Sequence, residues 1–200
     1  AHNPSITGVI HGAGVLADAG IESKTPDDFM RVMQIKAGTA LAFEQALLPG
    51  SIRFWINFSS ITSFFGNHGQ TDYSAANAIL DDQAVRLSGR GMALARSILW
   101  SPWQTVGMAS DARLQAIIKA RGIAAITPAE GVAWMRRELA MRDSPLICFV
   151  GDPAKAGAPV PATGSAAWEN RVTIGRECHY RSRKFDTKFR FLGDHVIKGA

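Results

Sequence analysis

Two side chains that can donate or share a proton lie four residues apart near the middle of the sequence. Tyr73 and Asn77 are the first and last residues of the segment YSAAN. Because four residues make about one helical turn, the phenol and the amide are expected to share one helix face. Ser60 precedes Tyr73 by thirteen residues, and a hydroxyl at a preceding strand end could meet both groups over a carbonyl. This arrangement suits proton donation to a carbonyl that a bound hydride donor reduces.

Strand and helix patterns alternate along the first 150 residues, and these elements must position the polar groups. Short apolar runs bounded by Gly and Pro predict strands at 6–11, 54–58, 93–100 and 145–150. Longer periodic segments predict helices at 25–48, 73–87, 111–121 and 127–141. The alternation predicts an α/β fold, with a Rossmann-like, mostly parallel sheet and flanking helices. Ligands of such sheets bind beyond the carboxyl ends of the strands, where Gly14, Ser60 and Pro102 are predicted to lie.

The sequence predicts the first residues of two helices. Thr25 can cap a helix whose first residue is Pro26, and two acidic residues follow in the first turn. Thr127 and Glu130 have the spacing of a capping box, again with proline at the first helical position. His11, at the end of the first predicted strand, is expected to be a packed or backbone-bonded histidine.

Composition excludes several classes of protein. The chain is 46% hydrophobic and 20% charged, as in soluble globular proteins, and it contains no apolar run of the length of a membrane span. Cys148 and Cys178 form neither a disulfide framework nor a metal-ligand spacing, which favours no metal site and a reducing, cytoplasmic setting. Residues 171–200 hold eight of the 22 basic and three of the 17 acidic residues, and so carry the whole net charge of +5. Without a nucleic-acid-binding module around it, this basic segment favours a solvated face or a surface for an anionic carrier or a neighbouring domain.

Five segments, taken together in their order and spacing, resemble one known family. They are similar to the catalytic half of the ketoreductase domain of polyketide synthases and polyunsaturated-fatty-acid synthases, within the short-chain dehydrogenase/reductase superfamily. The resemblance covers residues 6–110 and tilts slightly toward the polyunsaturated-fatty-acid type. Its segments are HGAGVL (11–16), FSS (58–60), GNHGQ (66–70), YSAANA (73–78) and WSPW (100–103).

The resemblance implies a catalytic set and a reaction. Ordinary members of the superfamily carry lysine four residues after the tyrosine, whereas the synthase branch resembles this chain in having Asn77 there and Lys36 on the preceding helix. The implied reaction is reduction of a β-ketoacyl thioester by NADPH, with Tyr73 as proton donor and Ser60 hydrogen-bonded to the carbonyl oxygen. Lys36 and Asn77 are implied to bind the cofactor ribose, to order a water relay and to favour ionisation of the phenol. A nearby ammonium is expected to lower the pKa of the Tyr73 phenol.

Further residues take cofactor and stereochemical roles in the same resemblance. Gly12, Ala13 and Gly14 are implied to let the backbone approach the nucleotide, and Pro102 and Trp103 to line the nicotinamide. The segment LAD (16–18) is also similar to the Leu-x-Asp fingerprint of ketoreductases that give a D-configured hydroxyl. Asp18 is therefore expected to influence stereochemistry.

The C-terminal part is predicted to be separate from the reductase. Residues 1–152 are assigned to the catalytic part of the ketoreductase domain, and residues 153–170 to a Pro/Gly/Ala-rich linker. Residues 171–200 resemble the start of a hot-dog-type α+β dehydratase domain, in which His195 would be the catalytic base. The Gly-rich nucleotide turn of a complete ketoreductase is missing, so the sheet is expected to be truncated at its N-terminus and the fragment alone to be inactive.

The expected partners follow from the same family. They are an acyl-carrier protein whose phosphopantetheine holds the substrate, and neighbouring domains of a parent synthase that is a homodimer. Neither nucleic acid nor membrane is expected as a partner. Two alternatives remain: a non-catalytic, structural ketoreductase that braces its neighbours, and a free-standing alcohol dehydrogenase. The retained catalytic set disfavours the first alternative, and the Asn77 and Lys36 exchange disfavours the second.

Overall fold

Five strands form one sheet in this computed structural model. It describes residues 6–47, 52–109, 112–120, 125–141, 147–150 and 178–180. The strands of the described residues follow one another across the sheet in chain order. They are β1 (Gly8–His11), β2 (Phe54–Ser60), β3 (Leu94–Trp100), β4 (Ile147–Val150) and β5 (Cys178–Tyr180). The first four strands pair in parallel and β5 is antiparallel to β4. The mostly parallel sheet predicted from the sequence is therefore confirmed.

Helices connect the strands close to the predicted positions. They are α1 (Pro26–Met33), α2 (Thr39–Leu47), α3 (Thr62–Phe65), α4 (Thr71–Gly89), α5 (Ala112–Ala120) and α6 (Pro128–Ala140). A π-helical segment, Gln34–Gly38, joins α1 to α2, and a short 3-10 turn covers Gly107–Ala109. The short helix α3 and the π-helical segment were not anticipated, and α4 begins two residues earlier than predicted.

The predicted helix caps are present. The Thr25 hydroxyl accepts a hydrogen bond from the Asp28 backbone N–H at 3.1 Å, and Pro26 opens α1. Thr127 and Glu130 form the reciprocal capping box at the start of α6. These local signals are reliable because they satisfy backbone donors that no helical turn can satisfy.

The two faces of the sheet have different cores because side chains alternate along each strand. On one face Trp55 packs with Val9, Ala95 and Leu87, the last of these from α4. On the other face Ile56 belongs to a cluster with residues of β3, β4 and the segment before α6. That cluster consists of Ile56, Ile98, Trp100, Ile126 and Val150, with Trp103 and Trp134 among the partly buried residues against it.

A buried ion pair attaches α6 to the sheet. Arg96 of β3 donates to the Glu138 carboxylate at 2.9 Å, and both side chains are at most 2% exposed. The pair joins the sheet to the helix whose residues Trp134 and Met135 pack against the second cluster.

β5 bears on the predicted domain boundary. Residues Cys178–Tyr180 fall in the segment assigned to a dehydratase domain, and they pair with β4 of the reductase-like sheet. The linker at 153–170, the rest of the 171–200 segment and its hot-dog fold lie outside the described residues. The boundary at residue 171 and the dehydratase assignment stay predictions.

Candidate active site

The carboxyl end of β2 and the first turns of α4 bring the central residues together. The register pairs His11 with Asn57 and Ser60 with Trp100, so β1, β2 and β3 end at the same edge of the sheet. The turn after β1, Ser60 at the end of β2 and the start of α4 all follow from this alignment. Parallel strands of this kind form ligand sites beyond that edge.

Tyr73 and Asn77 are both buried on one face of α4. The Tyr73 side chain is 8% exposed and the Asn77 side chain is fully buried. Asn77 Nδ2 donates to the Tyr73 carbonyl at 2.7 Å, which fixes the orientation of the amide. Its Oδ1 atom is buried and has no hydrogen-bond partner in the described residues. A buried acceptor of this kind is costly, so it indicates a site that a water or a ligand donor would satisfy.

Ser60 reaches the phenol from the strand end. Its Oγ accepts hydrogen bonds from the Thr62 backbone N–H at 3.2 Å and from the Thr62 hydroxyl at 3.1 Å. Because Ser60 Oγ is the acceptor in both bonds, its own proton remains available for donation to another acceptor. Hydrogen bonding with Ser60 is one of the influences that lower the pKa of the Tyr73 phenol.

Lys36 enters the site from the π-helical segment. Its side chain is 2% exposed, and Nζ donates to the Phe58 carbonyl at 3.0 Å. The same ammonium lies 5.2 Å from the centroid of the Tyr73 ring. Burial lowers the pKa of Lys36 from 10.5 to about 8, and the charge of Asp81 acts in the opposite direction. Single π-helical turns are concentrated at functional sites, and here the extra residue in the turn presents the lysine to the strand end.

The pKa of Tyr73 corrects one expectation. Burial raises it, the charge of Asp18 raises it further, and hydrogen bonding with Asn77 and Ser60 lowers it. The net direction is upward, opposite to the lowering expected from a nearby ammonium. Desolvation dominates because the phenolate would lose its water while the ammonium is directed at the Phe58 carbonyl. The phenol therefore stays protonated, as a proton donor must be before transfer.

His11 contacts the backbone of Lys36. Its Nε2 atom is 2.7 Å from the Lys36 carbonyl, and the ring is 3% exposed. Burial is the main cause that lowers the pKa of His11, which favours the neutral ring. The expected backbone-bonded histidine is confirmed, and its contact helps to hold the π-helical turn.

The turn after β1 leaves bare backbone beside the lysine. A Cβ placed on Gly14 would lie 3.4 Å from Lys36 Nζ and 3.7 Å from the Met108 methyl group. A Cβ on Gly12 would approach only the Phe58 ring, at 3.9 Å, and both Gly12 and Ala13 are exposed. A ligand could therefore come within contact of this backbone while also reaching the ammonium. The absence of side chains at this point fits the predicted approach of a nucleotide.

Pro102 and Trp103 lie beyond the end of β3. The Pro102 carbonyl accepts from the Ile126 backbone at 2.9 Å, and Trp103 forms a bridge with Ile126. The Trp103 ring packs 5.0 Å from Trp100, and a Cβ on Gly131 would overlap it at 2.1 Å. The indole thus fills the core between the sheet and α6. Its role in lining the nicotinamide stays a prediction.

Asp18 is exposed and bonded to the start of α4. Gln70 Nε2 donates to Asp18 Oδ2 at 2.9 Å, and the Asp18 charge acts on the phenol as described above. The stereochemical role of Asp18 stays a prediction. His195 lies outside the described residues, and its role is likewise a prediction.

Asp81 was missed by the sequence reasoning. It lies one turn after Asn77 on α4, and the Ser97 hydroxyl donates to its carboxylate. Burial raises the pKa of Asp81 from 3.8 to about 6, while hydrogen bonding with Ser63, Ser97 and Ser59 lowers it. The spacing Tyr73, Asn77, Asp81 is a repeat of four, and that spacing was the available signal.

Two other features complete the description of the site region. In the described residues, His, Cys, Asp and Glu side chains do not gather in groups of three or more that could hold a metal ion. Over the same ranges, none of the helices has both the length and the apolar character needed to cross a bilayer.

Curated relatives are large synthases, of which the chain spans a small part. Polyketide synthase ThaG from Burkholderia thailandensis is 35% identical over 162 residues, which is 77% of this chain and 3% of ThaG. The 6-methylsalicylic acid synthase from Aspergillus niger is 39% identical over 134 residues, which is 66% of this chain and 8% of that synthase.

Solved ketoreductase structures share the fold described above. A-type ketoreductases from a modular polyketide synthase match at a TM-score of 0.69 and 27% identity, over 78% of this chain and 34% of theirs. The ketoreductase PlmKR1, from the first module of phoslactomycin biosynthesis in Streptomyces sp. HK803, matches at a TM-score of 0.68 and 29% identity, over 78% of this chain and 37% of its own. The angucycline C-6 ketoreductase LanV with bound NADP shares the fold at 20% identity and a TM-score of 0.57, over 70% of this chain and 57% of its own.

A family model described as the KR domain matches residues 1–105, more than half of the chain. Its range includes the turn after β1, the π-helical lysine, all of β2 and all of β3. With the four converging polar groups and the structural matches, this result assigns the chain to a family: it belongs to the ketoreductase domains of polyketide synthases.

Proposed function

We propose that this chain is the catalytic part of a reductase that converts a β-ketoacyl thioester into the β-hydroxyacyl thioester. The observation that carries the proposal is the convergence of Tyr73, Ser60, Asn77 and Lys36 at one sheet edge. A protonated phenol, a hydroxyl with a free proton and a buried ammonium together supply what a carbonyl oxygen needs as it gains negative charge.

Each group has a distinct task in this proposal. The Tyr73 phenol donates its proton to the developing alkoxide, and the raised pKa keeps that proton in place until transfer. The Ser60 hydroxyl donates to the same oxygen and orients the carbonyl. Lys36, with its ammonium 5.2 Å from the ring, stabilises the phenolate left after transfer. The open Oδ1 of Asn77 accepts from a water or a ribose hydroxyl and so connects the site to a proton supply.

NADPH fits the residues present and is proposed as the cofactor. Exposed backbone at Gly12 and Ala13, the bare Cα of Gly14 and the adjacent Lys36 ammonium would hold the ribose and nicotinamide part. When bound, NADPH supplies the hydride that adds to the β-carbon. The choice of NADPH is supported by the KR family and by the NADP in the solved LanV structure.

The parent protein is proposed to be a multidomain polyketide synthase. Relatives of that class cover most of this chain at 35–39% identity, which supports the polyketide type over the polyunsaturated-fatty-acid type. The substrate would be carried by phosphopantetheine on an acyl-carrier protein, and neighbouring synthase domains would surround the reductase in a homodimer. A 3-oxoacyl-carrier-protein reductase is the specific activity we assign to it.

The test compares two hydroxyl deletions in the polypeptide that carries this chain with its flanking sequence. Tyr73→Phe removes the proton donor, and NADPH oxidation with a β-ketoacyl thioester should fall by about a hundredfold or more. Ser74→Ala removes a neighbouring buried hydroxyl that has no hydrogen-bond partner among the described residues, and its rate should match the parent rate. Equal rates for Tyr73→Phe and the parent would remove the mechanism. A parent protein that folds but never oxidises NADPH would instead favour the structural, non-catalytic alternative.

A further inference from the structure

A buried ion pair next to the active site has no part in the proposed proton transfer. Lys24 lies just before α1, and its Nζ donates to Asp72 Oδ2 at 2.8 Å and to the Ala17 carbonyl at 2.6 Å. The Lys24 and Asp72 side chains are 2% and 0% exposed. Burying two charges costs free energy that their attraction repays only in good geometry, so such a pair is a weak source of stability. Its value is in fixing one arrangement of the elements that it joins.

Two further contacts run parallel to this pair. The Ala19 backbone N–H donates to the Gly69 carbonyl at 3.0 Å, and Gln70 Nε2 donates to Asp18 Oδ2 at 2.9 Å. Asp18 and Ala19 therefore contact Gln70 and Gly69 directly, and Lys24 links the Ala17 carbonyl to Asp72. We call residues 17–19 the flanking loop.

The same carboxylate also contacts the catalytic helix. Asp72 Oδ1 accepts from the backbone N–H of Tyr73 at 2.9 Å, while its other oxygen holds Lys24. One side chain thus connects the flanking loop to the backbone of the proton donor. Because Asp18 and Ala19 bond to Gln70 and Gly69, directly before α4, the flanking loop lies next to the helix turn that carries Tyr73.

We propose that Lys24 and Asp72 are positioning residues that hold the flanking loop beside Tyr73 and so determine which face of the β-carbonyl is presented for reduction. The inference rests on the proposed reductase function. A carbonyl oxygen must meet both the phenol and the Ser60 hydroxyl, so the acyl chain can still enter in two orientations related by a turn about that oxygen. When the flanking loop is held on one side of the phenol, it blocks one of these two orientations of the acyl chain. If the flanking loop is no longer held by Lys24 and Asp72, both orientations fit, and the product is a mixture of the two hydroxyl configurations.

The experiment measures product configuration in the polypeptide that carries this chain. Lys24→Met replaces the ammonium with an uncharged side chain of similar length, and Lys24→Arg keeps a charge that can reach both acceptors. Arg31→Met is the matched control, because Arg31 forms an exposed ion pair with Asp28 at 3.1 Å. The β-hydroxyacyl product is released and its two configurations are separated by chiral chromatography. KM, kcat and thermal unfolding are measured in parallel.

The expected result is a change in selectivity that exceeds the change in rate. In Lys24→Met the ratio of the two configurations should fall by about tenfold, with kcat reduced much less than in Tyr73→Phe. Lys24→Arg should restore most of the ratio, and Arg31→Met should leave it at the parent value. A folded Lys24→Met variant with the parent ratio would overturn the proposal. So would an unfolded one, since the pair would then be a requirement for folding. If the parent itself shows no reduction of the thioester, the proposed function fails instead.

Discussion

We expect the buried charge of Lys36 in the active site to lower the free energy of unfolding by a measurable amount. Burial lowers the pKa of Lys36 from 10.5 to about 8, so the folded protein disfavours the ammonium relative to the unfolded chain. At about 1.4 kcal/mol for each pKa unit, this shift corresponds to about 3 kcal/mol. Lys36→Met removes that cost, and it also removes the hydrogen bond to Phe58 and the ring contact, together worth about 1–2 kcal/mol. At neutral pH the variant should therefore be more stable by about 1 kcal/mol, although it loses the proposed activity.

The pH dependence gives the sharper test. Below the folded pKa of about 8, both states of the parent protein carry the ammonium and the full cost is present. Between about 8 and 10.5 the unfolded chain binds more protons, so the free energy of unfolding rises with pH as the cost is relieved. Above that window Lys36 is neutral in both states, so the parent keeps its hydrogen bond to the Phe58 carbonyl without the free-energy cost of burying a charge. The difference in stability between Lys36→Met and the parent should thus change sign between neutral and about pH 11.

The assay is denaturant unfolding of the complete reductase domain, followed at several pH values. Lys119→Met serves as the control, because Lys119 is an exposed lysine on α5. Its stability difference from the parent reports what the loss of a solvated ammonium does to the same measurement. If Lys36→Met is less stable than the parent by a constant amount across the whole window, the ammonium is not penalised by burial and the reasoning is refuted.

Two further substitutions test the cofactor site and the fold separately. Gly14→Ala adds a methyl group at an ordinary contact distance from the buried ammonium, so unfolding should change by less than about 1 kcal/mol while NADPH affinity falls about tenfold or more. Gly89→Ala, where a Cβ meets nothing within 4 Å, should leave NADPH titrations unchanged, and equal affinities in the two variants would contradict the nucleotide approach. Glu138→Gln removes the carboxylate charge that pairs with the buried Arg96 guanidinium and should lower the free energy of unfolding by about 2–3 kcal/mol. The exposed substitution Asp28→Asn should cost under about 1 kcal/mol in the same melts, and similar losses would contradict the buried pair.

Local signals carried most of the fold prediction. The caps at Thr25 and Thr127 and the strand ending at Trp100 were read from residue types that satisfy backbone groups or alternate between two faces. The helical spacing of Tyr73 and Asn77 was likewise correct. Such features depend on neighbours within one or two turns, and a single sequence records those neighbours directly.

Features made by residues far apart in sequence could not be read in this way. The π-helical turn around Lys36 is bonded to His11, 25 residues away, and the Lys24 and Asp72 pair spans 48 residues. The pKa of the phenol was expected to fall because its neighbour's charge was visible in the sequence. Burial was not visible, and burial reversed the direction.

The sequence by itself determined the order of the four parallel strands and of the longer helices, the helix starts set by caps, and the polar groups available for chemistry. The tertiary structure alone decided how deeply those groups are buried, which charges face one another, and that Trp103 packs against Gly131. The physical reason is that hydrogen-bonded caps and side-chain periodicity are local, whereas desolvation and ion pairing depend on everything that surrounds a group.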